Sequence, residues 1–219
     1  MNVRRTTSAN DIPAVIIAGG RSTRMGQDKS GLQLGARPLL DRIIERLRPQ
    51  ASVIDVNTNI VPPPHLPQGV TAFADTVEGR LGPLAGVLSA LRHTQRHYPD
   101  APCVVTVPTD TPFFPTDLVA RLASSRRQAD EITIAYTDDT MHPIFGLWPV
   151  AIADDLENWL VSDDKRRVRS FIARYPMVAV DFPMIATKAG AFDPFYNINT
   201  PADHAEAERW LALLEAEER

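Results

Sequence analysis

Short unbroken apolar runs alternate along this chain with apolar residues at helical spacing. Val15 to Ala18 is a four-residue apolar run of the kind a parallel strand buried on both faces requires, and Gly19-Gly20 ends it. Leu39, Leu40, Ile43, Ile44 and Leu47 then form one face of a helix that stops before Pro49. Val53 to Val56 predicts a second strand, and Val70 to Phe73 a third after a proline-rich connector unsuited to regular structure. Pro83 suits the first turn of a helix with an inner face of Leu84, Val87, Leu88 and Leu91. Cys103 to Val107 is the clearest central strand, and Thr116 is placed to cap a helix running to about Arg127.

Repeated strand–loop–helix order predicts an α/β fold built on an open, mostly parallel sheet, with ligands gathering at the carboxyl edge of the strands. Beyond residue 131 the pattern is less regular. Ile132 to Tyr136 and Ile144 to Trp148 read as strands of a hairpin-like excursion, followed by helices at Ala151 to Leu160 and near Val168, and a strand at Val178 to Phe182. Thr200, Pro201 and Asp203 form a near capping box, opening a terminal helix with Ala207, Trp210, Leu211 and Leu214 on its apolar face. The expected division is a loose tail over 1–11 and one domain over 12–219. Within it lie a nucleotide-binding half (12–130), an acceptor-side half (131–200) and the terminal helix (201–219).

Composition narrows the class only modestly. The 219 residues are 44% hydrophobic and 23% charged, as in an ordinary globular protein. A net charge of -4 speaks against a general nucleic-acid binder. The single cysteine, Cys103, excludes an intrachain disulfide framework and fits a reducing compartment. No apolar segment reaches membrane-spanning length, and the amino end lacks the apolar core of a signal peptide, so a cytoplasmic protein is expected.

The chemistry concentrates in loops after predicted strands. Gly19 and Gly20 permit close backbone approach to a ligand, and Arg21, Arg24 and Lys29 follow within one loop. Neither GxGxxG nor GxxxxGK[ST] is present, so the loop is not one of the two commonest phosphate motifs. Arg24 offers a planar fork and Lys29 a movable point charge for a polyphosphate; a pairing of Lys29 with Asp28 is the alternative. Gly82 and Gly86 would let the helix at Pro83 begin close to a ligand. Asp110, in PTDTP just beyond the strand CVVTV, delivers a carboxylate to the same edge. Oxygen ligation of Mg²⁺ is its expected role, with turn or cap formation as a rival or companion.

The segment AGGRSTRMGQDK resembles the signature loop of the molybdenum cofactor guanylyltransferase (MobA) family, and DTVEGRLGPLAG, PTDTP and NINTP are similar to that family's later motifs in the same order. The resemblance covers Ile12 to about Leu211. It implies a doubly wound, Rossmann-like nucleotidyltransferase fold and transfer of GMP from GTP to the phosphate of Mo-molybdopterin, with Mg²⁺ and release of pyrophosphate. Ala18, Gly19, Gly20, Lys29, Asn57, Asp75, Gly82 and Asp110 then fall at nucleotide-binding positions, and Arg24, Lys29 and Asp110 at catalytic ones. Metal association is implied for Asp110 and more weakly for Asp75 and Asn199, with a solvent-facing acid (Asp75) and turn formation (Asn57, Asn199) as alternatives. His142, Arg166, Arg167 and Asn197 match acceptor-side positions; loop packing for His142 and a solvated basic run are the alternatives. Transient contact with molybdenum-insertion proteins or molybdoenzyme chaperones is a further implication. Related cytidylyltransferases read AAG in the first loop and GD before the proline, where this chain has AGG and Thr109-Asp110. The guanine branch is therefore favoured, with a cytidylyltransferase or a sugar-phosphate nucleotidyltransferase as the alternative.

Overall fold

The computed structural model describes residues 11–18, 32–61, 63, 65–77, 82–162 and 167–217. In chain order the elements are β1 (Ala14–Ile17), β2 (Gln33–Leu34), β3 (Arg37–Pro38), α1 (Leu39–Leu47), β4 (Ile54–Asn57), β5 (Val70–Phe73), α2 (Pro83–His97), β6 (Cys103–Pro108) and α3 (Leu118–Ser125). They continue with β7 (Ile132–Thr137), β8 (Thr140–Pro149), a 3-10 turn (Val150–Ile152), α4 (Ala153–Ser162), α5 (Val168–Ile172), β9 (Met177–Asp181), β10 (Ile185–Thr187), β11 (Gly190–Phe192) and α6 (Pro201–Glu217).

Seven strands form the central sheet in the order β5-β4-β1-β6-β8-β7-β9. Every neighbouring pair is parallel except the two that involve β8. The hairpin-like excursion expected over Ile132–Trp148 is therefore corrected: β7 and β8 belong to the main sheet, with β8 inserted between β6 and β7. Gly146 makes this close pairing possible, because a Cβ there would lie 2.6 Å from Ile134 Cδ1 and 2.9 Å from Trp148 Nε1.

Both faces of the sheet are covered, and strand periodicity distributes the side chains between them. Ala14 and Ile16 join Ile43, Ile44 and Leu47 of α1 and Leu118 and Leu122 of α3 on one side. Val15 and Ile17 join Leu84, Val87, Leu88 and Leu91 of α2 and Leu156 and Leu160 of α4 on the other. Cys103 is buried in β6 at the middle of the sheet, and burial pushes its thiol pKa up.

Several local boundaries differ from the sequence reading: β8 begins at Thr140 rather than Ile144, α4 starts and ends two residues later, and β9 lies one residue earlier. β1 and β4 are each displaced by one residue, which makes Asn57 the last residue of β4, paired with Ile17 of β1. Helix α3 begins at Leu118 rather than after Thr116, because Leu118 N–H bonds the Pro115 carbonyl and the intervening residues form a turn. The β10–β11 hairpin had no clear apolar signature. At α6 the expected reciprocal cap is present: Thr200 N–H donates to Asp203 Oδ2 (2.8 Å) and Asp203 N–H to Thr200 Oγ1 (3.1 Å).

One polar node inside the fold was not anticipated. The wholly buried Asp55 of β4 accepts from Tyr98 (2.6 Å) and pairs with His93 Nε2 (2.9 Å), whose ring stacks on Phe73 at 4.0 Å. The node fastens α2 and the residue after it to the sheet.

Candidate active site

Parallel β1, β4, β5 and β6 end at one edge of the sheet, so the residues that follow them are neighbours in space although far apart in sequence. Ala18 N–H donates to the Asn57 carbonyl (2.8 Å), Thr58 N–H to the Phe73 carbonyl (2.8 Å) and Thr109 N–H to the Ile17 carbonyl (3.3 Å). These bonds carry the sheet register into the loops. Gly19, Gly20, Arg21, Arg24 and Lys29 lie outside the described residues, as do Lys165 and Arg166.

Asn57 and Asp75 meet directly: Asn57 Nδ2 donates to Asp75 Oδ1 at 3.0 Å. Asp75 is also engaged by Asn59, whose Nδ2 donates to Oδ2 (2.7 Å) and whose Oδ1 accepts the Asp75 backbone N–H (2.9 Å). Buried Ser89 of α2 approaches Asp75 Oδ1 at 3.3 Å and accepts the N–H of Thr76 at 2.9 Å. None of the side-chain donors is charged, so they orient the carboxylate without neutralising it. The sequence reading missed Asn59 and Ser89; the Asn-Thr-Asn spacing was the available signal for Asn59, and Ser89 had none.

Gly82 precedes α2 with φ of 75°, a backbone conformation suited to glycine. At Gly86 packing also requires glycine, since a Cβ there would stand 2.6 Å from Ile17 Cγ2 and 3.0 Å from Asn57 Oδ1. It lets α2 lie against β1 and under Asn57. Gly86→Ala is expected to cost about 1–3 kcal/mol in urea unfolding through overpacking. A variant with wild-type stability would show that Ile17 yields freely.

Asp110 is the second residue of the loop after β6, and its backbone carbonyl accepts the Ile198 N–H at 2.8 Å. Thr111 Oγ1 donates to Asp110 Oδ1 at 3.2 Å. Ile198 is wholly buried while Asn197 and Asn199 on either side are exposed, so the NINTP segment is fastened by its apolar residue and presents its amides outward. The Asn199 N–H also donates to Asp203 Oδ2 at 2.9 Å, which joins this segment to the cap of α6. The structure thus brings Asp110, Asn197 and Asn199 into one neighbourhood.

His142 lies in β8, its ring stacked on Phe195 at 4.4 Å, two residues before Asn197. Its Nε2 is buried with no hydrogen-bond partner among the described residues, and burial lowers its pKa against an opposing pull from Asp193. A neutral imidazole is favoured. Arg167 is exposed at the start of α5, and no described contact joins it to Asp110 or Asp75.

Among the described residues no three histidine, cysteine or acidic side chains form a metal cage. A carboxylate and amide oxygens are hard donors that Mg²⁺ accepts when phosphates and waters complete its shell, and Asp110 and the NINTP segment, joined through the Ile198 N–H, carry both types.

Comparison with known proteins places these features in a context. The MobA-like NTP transferase domain family matches residues 14–180. The molybdenum cofactor guanylyltransferase of Sinorhizobium fredii is 54% identical over 213 residues, covering 97% of this chain and 98% of its own. That of Rhizobium meliloti is 54% identical over 206 residues, covering 94% of each chain. Among solved structures, molybdopterin-guanine dinucleotide biosynthesis protein A from Archaeoglobus fulgidus superposes with a TM-score of 0.71 at 22% identity, over 92% of this chain and 99% of that one. The 4-diphosphocytidyl-2C-methyl-D-erythritol synthase of Anaerococcus prevotii shares the fold with a TM-score of 0.66 at 14% identity, over 96% of this chain and 100% of its own.

Proposed function

Because this chain belongs to the MobA-like NTP transferase family, we propose that it is a molybdenum cofactor guanylyltransferase. It transfers GMP from GTP to the phosphate of Mo-molybdopterin and releases pyrophosphate. The observation that carries this reading is the near-full-length similarity to relatives bearing that name. The carboxylates and amides at the sheet edge are chemically suited to the same reaction.

An oxygen of the acceptor phosphate attacks the α-phosphorus of GTP; a new P–O bond forms as the bond to the bridging oxygen of pyrophosphate breaks. No protein nucleophile is required, since the acceptor is already an anion. Arg24 and Lys29 bind the polyphosphate and stabilise the leaving charge, while Asn57 and Asp75 orient the nucleoside end. Asp110, with Asn199 beside it, would hold Mg²⁺, which when bound withdraws charge from the phosphate oxygens. His142, Arg166, Arg167 and Asn197 serve the acceptor side. The reading treats residues 12–219 as one catalytic unit working in the cytoplasm and delivering product by transient contact with insertion proteins or chaperones. No described helix is long and apolar enough to cross a membrane.

The test is pyrophosphate release in the presence of Mo-molybdopterin, comparing GTP, CTP, ATP and UTP with and without Mg²⁺. Turnover with GTP alone, abolished by chelation, is the expected result. A preference for CTP would overturn the base assignment, and turnover after chelation would overturn the metal.

A further inference from the structure

We infer that Asn59 is a positioning residue for nucleotide binding, a clamp that sets both the backbone and the side-chain rotamer of Asp75, with Ser89 supporting it from below. The inference rests on the reading of Asp75 as a nucleotide-facing group.

Asn59 is exposed and follows β4 by two residues, where nothing in the packing requires an amide. Its two polar atoms nevertheless both turn to Asp75. The Nδ2 group reaches Oδ2 at 2.7 Å while Oδ1 receives the backbone N–H at 2.9 Å. Only one amide orientation satisfies both bonds, because a carboxylate needs a donor and an N–H needs an acceptor. The pair closes a ring that ties the loop after β4 to the loop after β5. Main chain and carboxylate at Asp75 therefore move together or not at all.

Ser89 acts from the opposite side. Its hydroxyl has one proton, shared between the Ala85 carbonyl at 2.8 Å and Asp75 Oδ1 at 3.3 Å. The firmer contribution is as acceptor of the Thr76 N–H at 2.9 Å, which fixes the chain directly after Asp75. A carboxylate offers roughly four acceptor positions. Among the described residues Asn57 and Ser89 address Oδ1 and Asn59 alone addresses Oδ2, so of the two it is Oδ2 that these donors leave with room for one more. A single acceptor held at a fixed angle suits a hydroxyl of the ligand or a metal-bound water better than a chelated cation.

The experiment titrates the full chain with GTP by calorimetry and measures KM for GTP and for the acceptor separately, in wild type, Asn59→Ala, Asn59→Asp and Ser89→Ala, with thermal melting as control. Asn59→Ala is expected to weaken GTP binding about five- to tenfold, the scale of one or two hydrogen bonds. Asn59→Asp is expected to weaken it by at least about thirtyfold, since a carboxylate would then face a carboxylate. Ser89→Ala should fall near Asn59→Ala. In each case KM for the acceptor stays at the wild-type value. Unchanged GTP affinity in Asn59→Ala and Asn59→Asp would overturn the clamp while wild-type turnover left the functional reading standing. A rise in both KM values together with a lower melting point would overturn it equally, in favour of a general loss of structure. Wild-type protein that binds GTP without turnover would sink the reaction and still test the clamp through the affinities. Wild type that binds no nucleotide would sink both.

Discussion

Asp110→Ala is expected to lower guanylyl transfer by about a thousandfold, close to 4 kcal/mol of transition-state stabilisation. The substitution should leave the protein folded. Asp110 is tied to the NINTP segment through its main-chain carbonyl, and that bond to Ile198 survives truncation of the side chain. What is lost is the carboxylate just beyond β6, which on the proposed reading holds the cation that a triphosphate brings with it. Asp110→Asn separates charge from shape: it retains an acceptor for Thr111 Oγ1 and should be nearly as inactive as alanine. Steady-state pyrophosphate release across a Mg²⁺ titration, with melting temperature as control, decides the matter. Activity within tenfold of wild type in both variants would remove Asp110 from the reaction.

Asp55→Ala should do the reverse, costing stability. Removing a wholly buried carboxylate leaves His93 and Tyr98 facing an apolar gap, and loss of one partner from such a set costs about 3 kcal/mol. For a chain of this length the melting temperature would fall by roughly 10 °C. Burial by itself raises the Asp55 pKa, but the hydrogen bonds from His93 and Tyr98 oppose it and the folded-state value lies below the ordinary one. A depressed folded pKa means that the unfolded chain takes up the proton first as pH falls. The contribution is complete above the unfolded value of about 4 and disappears as pH drops through the folded value. Urea unfolding of wild type and Asp55→Ala should therefore show a wide gap at neutral pH that narrows in acid. A gap independent of pH would assign the loss to the cavity alone.

These two aspartates also mark what could be read along the chain. The position of Asp110 at the carboxyl edge of the sheet could be read because it follows the strand CVVTV and stands two residues before Pro112. Asp55 was invisible: it sits between Ile54 and Val56 in a buried strand, and its partners lie 38 and 43 residues away. The alternation of strands and helices through α3 could be followed from periodicity, with errors of one or two residues at the ends. The insertion of β8 could not, since the run Ile132–Ala135 is equally apolar whichever strand lies beside it, and only long-range pairing selects the antiparallel neighbour. Gly86 shows a third kind of limit. Its residue type could be noticed along the chain, but the packing against Ile17 and Asn57 that a Cβ would disturb is visible only in the fold.

Cys103 gives the protein a practical property. It is the sole thiol in the chain and is sealed inside the central sheet. A dye or spin label would find no native attachment point on the folded surface, so a cysteine introduced at any exposed position becomes a unique address for distance measurements during turnover. Cys103 itself then serves as an internal clock, since its modification by a thiol reagent counts the openings of the middle of the sheet.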